Sequence, residues 1–514
     1  MRIGVKILAI AFLVLLRPPA FLAAAENDLR LIEAVKSKDR SAVKALLDQK
    51  TGQKVDVNAA QADGATALAW AAHWNDLETA DLLIRAGAKP NAANVYGVTP
   101  LFLACKNHSA AMVTKLLDAG ANPNTALERT GETPLMTCAR TGNAEAVKAL
   151  LDRGANPHVK ETWRGQTALM WAVEQDHLDA ARMLIEKGAD VRAASDGGFT
   201  PLLFAARNGN AEFAKLLLGA GVDVNESTPE DGTALVVASA SGREEFAAYL
   251  LEHGANPDAA DAYGFTALHY AMQKGVSGVS SSEDKPGYTA APPNLPGLVK
   301  ALLAHGANPN SRIAMDYPAH TRAPFRQTNP ISLIGATPFF LAAASVDAAL
   351  MQTLVDGGAD PNLPLEDGTT PLMVAAGMGR VQDFPEEEAD AVLEAVQLSV
   401  ELGADVEATN QRLAQTALHA AASNGLDRVV EFLAGKGANV NAKDRLGQTP
   451  WSIASAISPV VNNQGSLRLH ESTVNLLTQL GAAAVTAEDL ISPRGLVNIR
   501  NYADTEEDQP PTRQ

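Results

Sequence analysis

The sequence predicts an all-α repeat solenoid, a row of stacked helix-turn-helix units. Three observations carry that expectation. A threonine recurs every 33 or 34 residues at Thr66, Thr99, Thr133, Thr167, Thr200, Thr233 and Thr266, then returns at Thr337, Thr370, Thr416 and Thr449. Each is followed by proline or alanine and then by leucine or a bulkier apolar residue. A glycine stands 21 residues after most of these threonines, as Gly87 follows Thr66 and Gly120 follows Thr99. A fixed period in this range marks a stacked array and not one globular core.

Each element of the unit has a local cause. In Gly97-Val98-Thr99-Pro100-Leu101-Phe102-Leu103-Ala104-Cys105, the threonine hydroxyl can accept a first-turn N–H. Proline at the first helical position has no N–H to leave unpaired. Small residues such as Ala71, Ala72, Ala104, Ala205 and Ala206 let a second helix approach closely. That helix reads Met112-Val113-Thr114-Lys115-Leu116-Leu117, apolar at helical spacing. It ends at Gly120, which reaches the left-handed conformation cheaply. Ala121-Asn122-Pro123-Asn124 and the glycine before the next threonine describe a turn. One such unit cannot cover its own apolar face, so its neighbours must.

The motifs G-x-T-[PA]-L-x-x-A, as in Gly264 to Ala271, and L-L-x-x-G-A-[ND]-x-[ND], as in Leu250 to Asp258, closely resemble the ankyrin repeat. The resemblance spans roughly residues 27–483. It implies L-shaped units, helices in two layers, β-hairpin fingers lining a concave face, and no catalytic activity. Departures are few. Asp231 stands in the turn-glycine slot before Thr233, Ala414 in that before Thr416, and Phe339 and Trp451 replace the leucine. The expected organisation is a signal peptide over 1–25, an N-terminal capping repeat over 26–62, a solenoid over 63–483 and a disordered tail over 484–514.

The start of the chain reads as a secretory signal. Arg2 and Lys6 precede the apolar run Ile7 to Leu16, and Ala23-Ala24-Ala25 offers a small-residue cleavage site. The run is short for a membrane span, and an uncleaved anchor is the alternative. Lys and Arg number 42 against 59 Asp and Glu, a formal net charge of −17. Removing the leader takes away Arg2, Lys6 and Arg17 and makes the chain more acidic. That balance opposes non-specific nucleic-acid binding. The two cysteines, Cys105 and Cys138, lie in the first helices of adjacent units where other units place alanine. They are read as small buried side chains, with a disulfide as the alternative that export would permit.

Insertions interrupt the period near 276–296, 311–333, 380–391 and 458–470. Three fall between the helices of a unit; the third carries Glu386-Glu387-Glu388. The insertion at 311–333 falls in a finger and carries Arg312, Tyr317, His320, Arg322, Phe325 and Arg326 against the single acid Asp316. It reads as a partner-gripping arm or as a variable loop folded on its own stack.

The resemblance also places a binding face. The slots flanking the threonines hold His73 and Trp74, Lys106, Arg129 and Arg140, Trp163 and Arg164, Phe199 and Arg207, and Phe265. With Arg312, Tyr317, Arg322, Phe325 and Arg326, these are the candidate partner-binding residues, because aromatics and arginine anchor interfaces. Tyr96 and Tyr263, in the finger turns, either join that face or pack on a neighbouring finger. Trp70, Trp171, Phe204 and Tyr270 are expected in the core. His269 and His419, after the repeat leucine, are expected to bond across the finger.

No zinc, phosphate-loop, nucleophile-elbow or calcium-loop motif is present. No catalytic residue, cofactor or metal is expected. The expected function is a non-catalytic protein–protein interaction scaffold, exported from a bacterial cytoplasm to the periplasm or beyond. Its partner is another protein, not nucleic acid, and the chain is expected to be a monomer with no membrane span once the signal is removed. A secreted effector, a structural element of the envelope and an enzyme with an unrecognised site are the rivals.

Overall fold

The computed structural model describes residues 29–48, 55–272, 294–315, 331–380, 384–457, 468–486 and 490. The expected signal peptide lies outside the described residues, as do the greater parts of the insertions near 276–296, 311–333 and 458–470. The chain divides into two compact units, Met1–Phe204 and Ala205–Gln514.

In the first unit, residues 29–36 and Arg40–Leu47 form the opening helix pair. Four regular repeats follow. Their first helices are Ala67–His73, Pro100–Lys106, Pro134–Arg140 and Ala168–Glu174. Their second helices are Leu77–Arg85, Ala110–Asp118, Ala144–Asp152 and Leu178–Glu186. First helices pack on first helices and second on second, giving two layers. Thr66, Thr133 and Thr167 cap their helices as the motif implies, accepting the N–H of Ala69, Met136 and Met170. Gly87 and Gly120 take φ of 92° and 89°, in the left-handed region where a side chain is strained.

Two sets of hydrogen bonds tie one repeat to the next. Finger tips are linked by main-chain bonds, Val95 N to Asp63 O, Thr162 N to Thr130 O and Asp196 N to Arg164 O, each 2.8 Å. On the opposite turn, Asn58 donates to Gly87 O and accepts from Lys89 N, and Asn91 and Asn124 repeat that pair of bonds on the following units. His158 stands where the next asparagine would be. The fingers carry less strand than expected. Among the described residues, paired strands occur only at Ser227–Thr228 with Gly232–Thr233, beside isolated bridges at Ala60–Thr66 and Ala260–Thr266. Each arm is too short for a ladder; one closing bond such as Asn94 N to Val98 O suffices.

Cys105 and Cys138 are joined in a disulfide between two neighbouring first helices, with Cα atoms 4.6 Å apart. Both are also fully buried. The bond therefore corrects the expectation of two unpaired core side chains. The alanine-sized slots that permit close helix packing also bring the two sulfur atoms together.

The second unit uses the same parts but breaks their rhythm. First helices without a following insertion run seven residues, as in Ala234–Ala240, Pro338–Ala344 and Ala417–Ser423. Those followed by an insertion stop early, at Ala267–Tyr270, Pro371–Ala375 and Pro450–Ala454. Part of the acidic insertion is absorbed into structure. Glu386–Glu388 forms a 3-10 turn that leads into Ala389–Glu401, a helix of 13 residues where nine is usual. Val485 and Leu490, placed in the expected disordered tail, are both buried.

Two histidines knit the fingers of this unit. His269 Nδ1 accepts Thr266 N–H at 3.1 Å, which leaves Nε2–H to donate to the carbonyls of Ser311 and Ala336. Burial lowers its pKa to about 4, so the ring stays neutral. His419 repeats the arrangement with Thr416 and the carbonyl of Gln448.

Candidate partner-binding surface

The exposed aromatic side chains of the first unit sit on finger turns and at the end of a first helix. His73 and Trp74 end the helix Ala67–His73 and face solvent, with Trp74 42% exposed. Trp70, one turn back, stacks on Trp74 at 6.2 Å between ring centroids and donates Nε1–H to Gln61. His73 meets both rings edge-on. Lys38 Nζ lies 4.7 Å from the Trp74 centroid and Lys36 Nζ 5.3 Å from that of Trp70. Those contacts favour a cation beside the ring face. Lys36 and Lys38 carry no motif signal; they fall in the expected N-terminal capping repeat.

Two repeats further on, Trp163 occupies a finger tip and is 76% exposed, with the Arg164 guanidinium 4.2 Å from its ring centroid. Its finger is held from beneath. Buried Glu161 accepts the backbone N–H groups of Trp163, Arg164 and Gln166. The tryptophan is thus offered to solvent on a fixed turn. Tyr96, on an earlier finger, is 73% exposed beside exposed Val95, so it does not pack on its neighbour.

Lys106 and Arg129 are exposed. Arg140 is exposed as well, yet its guanidinium is positioned by Glu132 at 3.3 Å and by the ring of Trp171 at 4.9 Å. Phe199 is half-buried against Phe204. In the second unit, Arg207 is exposed in the last turn of Pro201–Asn208.

Two expectations need correcting, one for Phe265 and one for the residues expected in the core. Phe265 is only 1% exposed, stacked on Tyr270 at 5.2 Å and edge-on to His269. Phe199, in the same slot before Thr200, is only half-buried, so it is the packing on Tyr270 and His269 that takes the Phe265 ring into the core. Arg312 is exposed, but it donates to the carbonyls of Gly335 and Pro364, so it braces two fingers. Trp70, Trp171 and Tyr270, expected in the core, are half-buried; Phe204 alone of that set is buried. Trp70 lies under exposed Trp74, and Trp171 under exposed Arg140. Tyr263 is half-buried, and its carbonyl accepts from Ala314 and Met315. Tyr317, Arg322, Phe325 and Arg326 lie outside the described residues. The base of their finger is described: Ile313 N donates to Ala336 O and Gly335 N to Ile313 O, so the insertion leaves and re-enters at adjacent points.

The arrangement offers aromatic faces and cations on a rigid frame. Among the described residues, no group of three or more His, Cys, Asp or Glu side chains could hold a metal, and no helix is long and apolar enough to cross a membrane.

The family model described as "Ankyrin repeats (3 copies)" matches residues 31–127, 125–195, 202–313 and 388–482. The chain belongs to the ankyrin-repeat family. Ankyrin repeats are protein–protein interaction modules, and proteins built from them are generally non-catalytic. The chain is 34% identical over 100 residues to the human Neurogenic locus notch homolog protein 2, covering 19% of this chain and 4% of that protein. It is 36% identical over 118 residues to Alpha-latroinsectotoxin-Lt1a of Latrodectus tredecimguttatus, covering 23% and 7%. The match thus spans only a small part of these relatives. Among solved structures, the ankyrin repeat domain of human ASB11 is similar at 29% identity and a TM-score of 0.39, over 44% of this chain and 98% of that one. The ankyrin repeat domain of Bcl-3 is similar at 27% identity and a TM-score of 0.37, over 41% and 93%.

Proposed function

We propose that this chain is an exported, non-catalytic scaffold that binds a partner protein on the face shared by fingers and first helices. The observation that carries the reading is the pair of exposed tryptophans, Trp74 and Trp163, each beside a cation. Large aromatic rings held rigidly in water bury much surface on binding at little entropic cost, and they anchor interfaces. The exposed Lys106, Arg129 and Arg140 add donors around them.

Export rests on two supports. The leader-like residues 1–25 are one. The Cys105–Cys138 disulfide is the other, since such bonds persist in oxidising compartments. We place the chain in a bacterial periplasm or outside the cell.

The test is affinity capture from the native host with wild type and with a Trp74→Ala/Trp163→Ala variant. The reading expects one or more proteins to be recovered by wild type and lost from the variant. Equal recovery of every protein would count against it. Cell fractionation tests the address. Retention in the periplasm supports a scaffold of the envelope, release to the medium favours an effector acting on another organism's proteins, and a cytoplasmic location contradicts export.

A further inference from the structure

The shortened helix Pro371–Ala375 leaves a cleft in the second unit that no repeat motif marks. After Ala375 the chain turns through Gly377 and Gly379, with φ of 98° and 87°. The left-handed φ at the first of these favours glycine, and an added Cβ would also sit 2.6 Å from Asn424 Nδ2. The last turn found in other first helices is missing here. In its place is a cleft of about 160 Å³, lined by Met378, Arg380, Gln415, Ser423, Gln448 and Ile453 among others. That volume holds several ordered waters or the head group of a small acid.

Arg380 is the group that gives this cleft a chemistry. Its guanidinium is largely removed from water, with 20% of the side chain exposed, and it stacks 3.8 Å from the Phe384 ring centroid. Burial lowers its pKa despite the nearby Glu388 carboxylate. That carboxylate stands 4.0 Å away, beyond hydrogen-bond reach. A guanidinium has five N–H donors in a planar fork. Other amide donors around the cleft are engaged within the protein: Asn424 Nδ2 with Gly377 O and Ala420 O, Gln415 Nε2 with Asp444, and Gln448 Nε2 with Ile457 O. Among the described residues, no carboxylate lines the cleft itself. A desolvated fork of donors, flanked by an exposed serine and by apolar Met378 and Ile453, fits a planar acceptor with two oxygens.

We propose that this cleft is a carboxylate pocket in which Arg380 grips a side-chain or chain-terminal carboxylate of the bound partner. The proposal rests on the scaffold reading above and gives that partner a chemical feature. It also places part of the specificity in the second unit.

The experiment uses the full chain labelled on its Met and Ile methyl groups, following Met378 and Ile453 by NMR. Three probes are titrated: a blocked tripeptide with central glutamate, its glutamine analogue, and triglycine blocked only at its amino end. At least one carboxylate probe should shift both methyls and bind about tenfold more tightly than the glutamine peptide. The stronger of the two identifies side chain or chain terminus as the source. Arg380→Gln should reduce the preference to within twofold. Ser423→Asp, which puts a competing carboxylate into the cleft at an exposed position, should do the same without unfolding the chain. Equal affinity for all three probes, or a preference that survives in both variants, overturns the pocket. Proteins captured by wild type in the absence of any probe preference would sink the pocket and leave the scaffold standing. A probe preference with no captured protein would do the reverse.

Discussion

The first unit keeps an even period and varies only its side chains; the second breaks its period and changes its backbone. Residues 66–200 hold five threonines at 33- or 34-residue spacing, and the first helices from Ala67 to Glu174 are all seven residues long. Diversity there lies in what each slot carries: Trp74, Lys106, Arg140, Trp163. Residues 266–470 hold the long insertions, and each one placed after a first helix truncates it. Diversity there lies in clefts and braces such as Arg380 and Arg312. The lesson is that a repeat array can acquire specificity without disturbing its frame, or by removing one turn of helix and using the space.

The sharpest break between surface and frame is at two aromatic residues that sequence alone treated alike. Phe265→Ala should destabilise the chain by about 3–5 kcal/mol, as expected for deleting a buried ring. Trp163→Ala should change stability by less than about 0.5 kcal/mol. Urea unfolding of both variants checks this, and similar losses would erase the distinction drawn between them.

The disulfide gives the first unit a fixed tie. Closing a 33-residue loop should contribute about 3–4 kcal/mol. Cys105→Ala/Cys138→Ala, or reduction under denaturing conditions followed by refolding, should lower the unfolding free energy by that amount and shift the urea midpoint down accordingly. An unchanged midpoint would mean that packing alone holds those helices.

The corresponding tie in the second unit titrates. His269 is neutral when folded, with a pKa lowered from 6.5 to about 4 by burial. The unfolded chain therefore binds the extra proton first. The contribution is fully present above pH 6.5 and is lost as the pH falls from there towards 4, by about 3 kcal/mol in total. Unfolding of wild type and His269→Gln across that range should show the steeper decline in wild type. Parallel slopes would place the proton elsewhere.

The smallest effect is a gain. Ala414 occupies a glycine slot at φ of 56°, where a side chain costs roughly 1–2 kcal/mol. Ala414→Gly should therefore stabilise the second unit by about 0.5–1 kcal/mol, less than the relieved strain because glycine loosens the unfolded chain. A loss on this substitution would show that the left-handed turn is not under strain.

The frame was legible because its devices are local. Thr66, Thr133 and Thr167 cap, Gly87 and Gly120 turn left-handed, and His269 and His419 bridge fingers, all at positions the motif fixes. What a slot carries outward was less legible. Trp74 and Trp163 are exposed and Phe265 is buried, although all three stand in slots that flank a repeat threonine, because exposure depends on what the neighbouring finger leaves open. Cys105 and Cys138 fitted alanine slots equally well bonded or not. The Arg380 cleft had no sequence signal, since it arises where an insertion ends the register that would have pointed to it.

Site-specific photo-crosslinking in the native host tests the central claim most directly. A photoreactive side chain is placed at position 163, on the finger tip, and separately at exposed position 145, on a second helix. The account predicts a discrete protein adduct from 163 and none from 145. An adduct from 145 with nothing at 163 would contradict it, because the partner would then be held by the opposite layer of the stack.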